Sequence, residues 1–307
     1  MLTQRLENGE SNGILTSPSI VALGNFDGVH IGHQELIKEI ISSEYLGIVY
    51  TFYEHPINII TGKRSVRAIN TRTEKESIFE TLGTDLLFYE DFERVRNMTP
   101  EEFVEEMLVR TFHAKKVVCG FNYRFGKGNI GDTALLGKIL SDYGISLKVV
   151  PEVKLHDKTV SSSAIREALA LGNITVANEM LGRPYFVKGN VKHGKSLGHV
   201  LGFPTVNLDL EEGREIPKYG VYFGKCTLFD KTYPVAISIG VRPTVENVLK
   251  PRLEAHIIGF EGDLYGKEIK IEFIEKIREE VKFNSVQDLQ RQLCLDVEFC
   301  KKCFCER

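Results

Sequence analysis

VALGNFDGVHIGH, residues 21–33, joins the end of an apolar strand to the start of a helix through a glycine-rich turn. The strand is Ser19-Ile20-Val21-Ala22-Leu23, and the turn is Gly24-Asn25-Phe26-Asp27-Gly28. The helix that follows, HQELIKEII, places Leu36, Ile37, Ile40 and Ile41 on one face. Strand, tight turn and helix start together suit a phosphate. Backbone N–H groups at a helix start lack intrahelical acceptors, and the helix dipole favours an anion. His30 and His33 fall in the first turn at i,i+3 spacing and share one side. Their rings add N–H donors for phosphate oxygens. The same spacing suits a metal, but no third Cys, His or acidic ligand stands nearby at a recognised spacing. Position favours a ligand site, because open α/β sheets bind at the carboxyl ends of their strands.

The chain has 307 residues, a net charge of −3 and 42% hydrophobic residues. That length allows two domains, each with its own core. The charge excludes a strongly basic nucleic-acid surface, and no apolar run approaches the ~20 residues of a membrane span. The opening MLTQRLENGESNG lacks the apolar core of a signal peptide, so a cytoplasmic protein is expected. Four of the six cysteines crowd the tail, at Cys294, Cys300, Cys303 and Cys305. Cys300 and Cys303 form a C-x-x-C, which suits zinc or redox chemistry, but no second C-x-x-C or paired His accompanies it. Reduced, partly buried thiols on a terminal helix are the expectation. Cys119 and Cys226 read as small buried strand residues.

Residues 1–182 alternate strand and helix. After the opening unit come strands over Tyr45–Phe52, Asp85–Tyr89, Lys116–Cys119 and Ile145–Val150. Between them lie a helix capped at Thr71 or Thr73 and ending before Gly83, one opened by Thr99-Pro100-Glu101-Glu102, and one over Thr133–Asp142. About five strands separated by helices predict a parallel sheet covered on both faces. Two further helices, SSSAIREALALG with a cap at Ser162 or Ser163 and ITVANEMLG, lead to Gly182. Residues 183–307 change texture. About six short strands follow one another with turns between them, which predicts an antiparallel barrel or sandwich. A closing helix starts near Ser285, with Leu289, Leu293, Val297 and Cys300 at helical spacing. The predicted boundary is 182/183.

Two glycine patterns mislead. Gly126-Lys127-Gly128-Asn129-Ile130-Gly131 matches G-x-G-x-x-G, but it does not follow a first strand directly, and an extended loop near a ligand is expected there. Gly189–Ser196, GNVKHGKS, matches the P-loop pattern. A P-loop must enter a helix, and LGHVLGFPTVN, with Gly198, Gly202 and Pro204, will not form one. A glycine-rich flap over phosphates, carrying Gly189, Gly194, Lys195 and Gly198, fits better.

Motifs along nearly the whole chain resemble the bifunctional riboflavin kinase/FAD synthetases of bacteria. GNFDGVHIGH, TFYEHP at Thr51–Pro56, GFNYRFGKGNIGD at Gly120–Asp132 and VSSSAIR at Val160–Arg166 stand in the family's order in the first half. LGRPY, the Gly189–Gly198 loop, LGFPTVN, GVY at Gly220–Tyr222, LEAHIIGF at Leu253–Phe260 and DLYG at Asp263–Gly266 follow in the second. Ser163 stands where the family usually has Thr, which keeps the hydroxyl. The resemblance implies an N-terminal Rossmann-like nucleotidyltransferase domain over 1–182. It also implies a C-terminal six-stranded β-barrel riboflavin kinase domain over 183–307.

The implied chemistry is phosphorylation of riboflavin to FMN, then transfer of AMP from a second ATP to give FAD and pyrophosphate. ATP is co-substrate and Mg²⁺ the implied cofactor. For the kinase step, Glu254 resembles the family's base, and Arg278 resembles a residue near the flavin. Thr205 and Asn207 are two apart on an extended segment, face one side, and are hard oxygen donors suited to Mg²⁺. For adenylyl transfer, His30, His33, the glycine turn and Arg166 would spread negative charge, and Ser161, Ser162 and Ser163 would add donors at a second helix start. Asn122 and Arg124 resemble residues lining the ATP/flavin site. Other readings stay open. The front half suits a nucleotidyltransferase for another phosphorylated acceptor with a non-catalytic barrel, and the whole suits a flavin-binding regulatory protein. Small-molecule substrates, no nucleic acid, no membrane, and a monomer or weak homo-oligomer are expected.

Overall fold

The computed structural model describes residues 2–5, 16–192, 201–243 and 249–306. The chain divides into two compact units, Met1–Ser162 and Ser163–Arg307.

The first unit runs β1 (Leu2–Arg5), β2 (Ser19–Leu23), α1 (Ile31–Ile41), β3 (Leu46–Phe52), α2 (Pro56–Thr61), α3 (Arg72–Leu82), β4 (Leu86–Glu90) and α4 (Phe92–Val95). It continues with α5 (Pro100–Phe103), a π-helical turn over Val104–Thr111, β5 (Ala114–Gly120), α6 (Thr133–Asp142), β6 (Ser146–Val150) and a small hairpin of β7 (Lys154–Leu155) with β8 (Lys158–Thr159). Six strands pair in parallel in the order β1-β4-β3-β2-β5-β6. β1 is the addition to the expected sheet and pairs with β4 at one edge. All residues of β2 and of β4 are buried, as a sheet covered on both faces requires.

From β2 the chain winds through β3 to β4 on one side, then returns to β5 and β6 on the other. The loops after β2 and β5 therefore open at the point where strand order reverses, the usual ligand crevice of such sheets. Those loops carry Gly24–His30 and Gly120–Asp132. The predicted caps form: Thr71 and Glu74 make a capping box on α3, and Thr99 and Glu102 make one on α5. Leu36, Ile37 and Ile40 of α1 are buried, but Ile41 is 44% exposed because the helix ends there and its last side chain clears the sheet. The loop expected to be extended is closed. Phe125 N–H donates to Gly131 O at 3.1 Å, Gly131 N–H returns to Phe125 O at 2.9 Å, and Gly126 and Gly128 have φ of 73° and 68°.

α7 (Ser162–Leu171) starts at the last residue of the first unit, and α8 (Ile174–Leu181) follows. Then come β9 (Tyr185–Lys192), β10 (Val206–Leu208), β11 (Gly220–Leu228), β12 (Lys231–Pro243), β13 (Leu249–Ile257), β14 (Glu268–Arg278) and α9 (Val286–Cys305). The six strands close an antiparallel barrel in the order β10-β13-β12-β11-β14-β9. Tyr222, Ile237, Leu253, Ala255, Ile271 and Phe273 are fully buried in it. Outside it, Phe223 and Ile258 pack with Cys300 and Cys303 of α9. All six cysteines are free, and burial pushes the Cys300 thiol up to about 12, so it stays protonated and inert.

The compact units divide 20 residues before the boundary expected from strand texture. The reason is the packing of α7 and α8. Asn178 of α8 donates to Phe273 O at 2.8 Å and accepts the Tyr185 N–H at 2.6 Å, and Lys218 N–H donates to Leu169 O of α7 at 2.8 Å. A fragment spanning 163–307 should therefore melt above one spanning 183–307, by about 4 °C or more, the shift that ~1 kcal/mol gives in a domain of this size. Calorimetry of the two fragments measures it. Equal melting temperatures would place the helices outside the barrel's cooperative unit.

Candidate functional site

The turn after β2 is built from the inside out. Phe26 and Val29 are fully buried and have φ of 50° and 40°, a left-handed backbone that non-glycine residues rarely take. Asp27 is buried too, and its Oδ1 accepts the Ile69 N–H at 2.9 Å. Ser162 Oγ donates to Asp27 O at 2.8 Å. Ser162 is thus the first residue of α7 and a tie to the turn, not the helix cap expected of it.

His30 is the N-cap of α1, one residue before the helical turn that was to hold it, and its Nδ1 accepts the His33 N–H at 3.2 Å. In the neutral ring that bond puts the proton on Nε2, which makes Nε2 the donor. The His30 and His33 rings stack at 3.6 Å, with Phe26 5.0 Å from His33. The turn is less open than a bare glycine loop. Gly24 N–H goes to Tyr50 O and Val29 N–H to Phe26 O. Among the described residues, no acceptor meets the N–H groups of Ile31 and Gly32 at the helix start. Two backbone donors and two imidazoles on one helix start have the chemistry to hold an anion.

Asn122 and Arg124 lie exposed on the loop after β5, with Arg124 3.9 Å from Asp132. Ser161 lies beside Ser162 at the start of α7, half-buried. Ser163 and Arg166 lie on α7 in the second unit. Lys75 was not singled out from the sequence, yet it touches the turn: it donates to Asn25 O at 2.8 Å and to Thr51 Oγ1 at 3.0 Å. The Thr71 cap was its only signal, since that cap places Lys75 one turn into α3.

In the barrel, Asn207 of β10 pairs in register with Glu254 of β13, so both side chains stand on one face of the ladder. Asn207 is 5% exposed, and among the described residues its buried Oδ1 meets no hydrogen-bond donor. Glu254 is partly exposed, 3.8 Å from Arg252. Thr205 directly precedes β10. His256 donates from Nδ1 to Pro204 O at 2.7 Å and so fixes the segment that carries Thr205; burial pushes its imidazole below the ordinary value. Gly189 lies inside β9, not in a loop before a helix, so the P-loop pattern is not a P-loop. Gly194, Lys195 and Gly198 lie outside the described residues.

A nucleotide-type parallel sheet with a donor-rich turn after β2, and a closed barrel bearing a buried amide in register with a carboxylate, fit a two-unit enzyme handling phosphorylated small molecules. The FAD synthetase family model matches residues 14–164, and the riboflavin kinase family model matches residues 181–304. A Bacillus subtilis relative, a bifunctional riboflavin kinase/FMN adenylyltransferase, is 35% identical over 90% of this chain and 89% of its own. The Escherichia coli K12 relative of the same description is 32% identical over 90% of each. A Streptococcus pneumoniae crystal structure described as a macrolide-efflux protein superposes with a TM-score of 0.87 and 30% identity, over 98% of this chain and 99% of that one. Among the described residues here, no helix is long and apolar enough to cross a membrane. The chain belongs to the bifunctional riboflavin kinase/FMN adenylyltransferase family.

Arg278 is held where it stands by an ion pair. Its Nε and Nη2 reach Asp296 of α9 at 3.0 and 2.7 Å, and Asp296 is 2% exposed. Removing one partner of such a pair strands a buried charge, at a cost of roughly 3–5 kcal/mol. Arg278→Ala should lose stability toward the lower end of that range in denaturant titration. The double variant Arg278→Ala/Asp296→Leu should regain much of it. A loss below ~0.5 kcal/mol would make the pair a screened surface contact.

Proposed function

We propose that the barrel phosphorylates riboflavin through Glu254, Thr205 and Asn207, and that the turn at Gly24–His33 transfers AMP to the resulting FMN. The observation that carries this reading is the Asn207 Oδ1: a buried oxygen that meets no donor among the described residues, in register with a carboxylate. An unmet buried acceptor costs about 1–3 kcal/mol unless something meets it. A hard cation would meet it, so the residues fit Mg²⁺, with Thr205 and Asn207 as its protein oxygens. When bound, Mg²⁺ supplies charge neutralisation to the ATP phosphates.

The two acceptors differ in what they demand. The ribityl hydroxyl of riboflavin is a poor nucleophile at neutral pH, so Glu254 takes its proton as its oxygen attacks the γ-phosphorus of ATP and ADP leaves. Arg278 lies at the end of β14 as the flavin-side cation. FMN needs no base, since its phosphate has a second pKa of about 6. A phosphate oxygen of FMN attacks the α-phosphorus of a second ATP, the bond to the bridging oxygen breaks, and pyrophosphate leaves. His30, His33 and the Ile31 and Gly32 amides spread the transferred charge. Ser161 and Ser162 share that role through the VSSSAIR motif, and Asn122 and Arg124 line the ATP/flavin side.

Incubating the protein with riboflavin, ATP and Mg²⁺ and separating the flavins by chromatography should give FMN and then FAD. FAD from added FMN alone would leave the barrel non-catalytic. In Glu254→Gln, riboflavin phosphorylation should fall ~10²–10⁴-fold, the usual cost of a lost general base. Riboflavin affinity and FAD formation from FMN should change little. Kinase activity within a few-fold of the parent would make Glu254 a solvated strand residue. In His33→Ala, FAD formation should fall ~10²–10³-fold with the kinase step nearly untouched. Unchanged FAD formation would reduce His33 to packing against Phe26 and His30.

A further inference from the structure

Neither reaction as described uses Lys75. It is half-buried on α3, and its ammonium donates to Asn25 O at 2.8 Å and Thr51 Oγ1 at 3.0 Å. Thr51 Oγ1 donates to the same Asn25 carbonyl at 2.9 Å. Asn25 belongs to the glycine turn, so Lys75 grips the turn from the side of α3. The Tyr89 ring lies 5.7 Å from Nζ.

An ammonium carries three donors. Two are spent here on neutral oxygens, and among the described residues no carboxylate lies within ion-pair distance of Nζ. Asp27 acts on it only through space, and Asp27 Oδ1 is already engaged by Ile69 N–H. Burial pushes the ammonium down to about 8, with Asp27 working in the opposite direction. A neutral side chain would satisfy an amide carbonyl and a hydroxyl at lower desolvation cost. A positive charge placed here without a direct counter-ion, one residue from the anion-binding turn, has its counter-ion in a ligand.

We propose that Lys75 is a phosphate-contacting residue of the adenylyl-transfer site, its remaining N–H meeting an oxygen of a phosphate seated on the Gly24–Gly28 turn. The proposal rests on the reading of that turn as the adenylyl-transfer site. The phosphate is that of FMN or one of those of ATP, and kinetics separates the two.

The test compares Lys75→Gln, which keeps neutral donors for Asn25 and Thr51, with Lys75→Arg, which keeps the charge. Both are made in the full chain and assayed for FAD formation from FMN over ranges of FMN and ATP. Lys75→Gln should lower kcat/KM about 10²-fold, the scale of one lost charge-stabilising donor. Lys75→Arg should recover most of that. A rise in KM for FMN alone assigns the contact to the acceptor phosphate, and a rise for ATP alone assigns it to the nucleotide. Equal behaviour of the two variants, both near the parent or both inactive, would overturn the proposal. So would loss of the first unit's melting transition in Lys75→Gln, which would make Lys75 a fold residue. If His33→Ala also leaves FAD formation unchanged, the reading of the turn fails. If His33→Ala is impaired and Lys75→Gln is not, only the role of Lys75 fails.

Discussion

The left-handed backbone at Phe26 and Val29 is the constraint on which the first unit's site depends. Each such residue costs about 1–3 kcal/mol and persists only where its surroundings over-determine it. Here they do. Both side chains are fully buried, and Phe26 meets Phe79 edge-on at 5.6 Å. Burying one such ring contributes about 1.5–3 kcal/mol, which matches the strain it sustains. Asp27, held by Ile69 N–H and Ser162 Oγ, closes the turn from two further directions. His30 follows this frame directly, and its Nδ1 contact with His33 N–H and its stacking on the His33 ring complete its placement. That is how an apolar residue inside a glycine turn comes to set the geometry of the helix start that follows it.

In the barrel the corresponding constraint is strand register. Asn207 opposes Glu254, and the next pair along, Leu208 with Leu253, is buried in the core. Side chains alternate faces along a strand, so a slip of one residue would exchange the polar pair for the apolar one. The hydrophobic pattern that closes the barrel therefore also fixes how the Glu254 carboxylate and the Asn207 amide stand to one another. β10 has only three residues to hold this register, and His256 lends support by bonding Pro204 just ahead of it.

Much of this was legible because it is local. Capping boxes at Thr71 and Thr99, the alternation of apolar strands with helices, and the run of short strands after Gly182 each leave a mark within a few residues. What escaped depends on partners far along the chain. β1 is four residues long and becomes a strand only through β4. The helices α7 and α8 look like the end of an alternating βα pattern, and only Asn178 bonding Phe273 and Tyr185 reveals which core they join. Arg278 and Asp296 are 18 positions apart and meet because α9 folds back on β14. Lys75 reads as an ordinary surface lysine of an amphipathic helix. Its contacts run to Asn25, 50 residues earlier, and no periodicity encodes that.

The two sites can finally be compared by the partners they lack. At the turn, among the described residues, the unmet groups are donors: the Ile31 and Gly32 amides and the third N–H of the half-buried Lys75 ammonium. In the barrel, among the described residues, the unmet group is an acceptor, the Asn207 Oδ1. Buried groups left unmet raise the free energy of the unliganded protein, so each site is stabilised most by a ligand of opposite polarity. Donors without acceptors select an anion, and an acceptor without a donor selects a cation. This division follows the chemistry of the two acceptors. An ionised phosphate arrives as its own nucleophile and needs positive surroundings to approach another phosphate. A neutral hydroxyl must lose a proton, so it needs a carboxylate beside it, and that carboxylate would repel the ATP phosphates unless a cation stood between them. In the proposed kinase site, the Asn207–Glu254 register sets the amide oxygen that would meet such a cation directly beside the carboxylate.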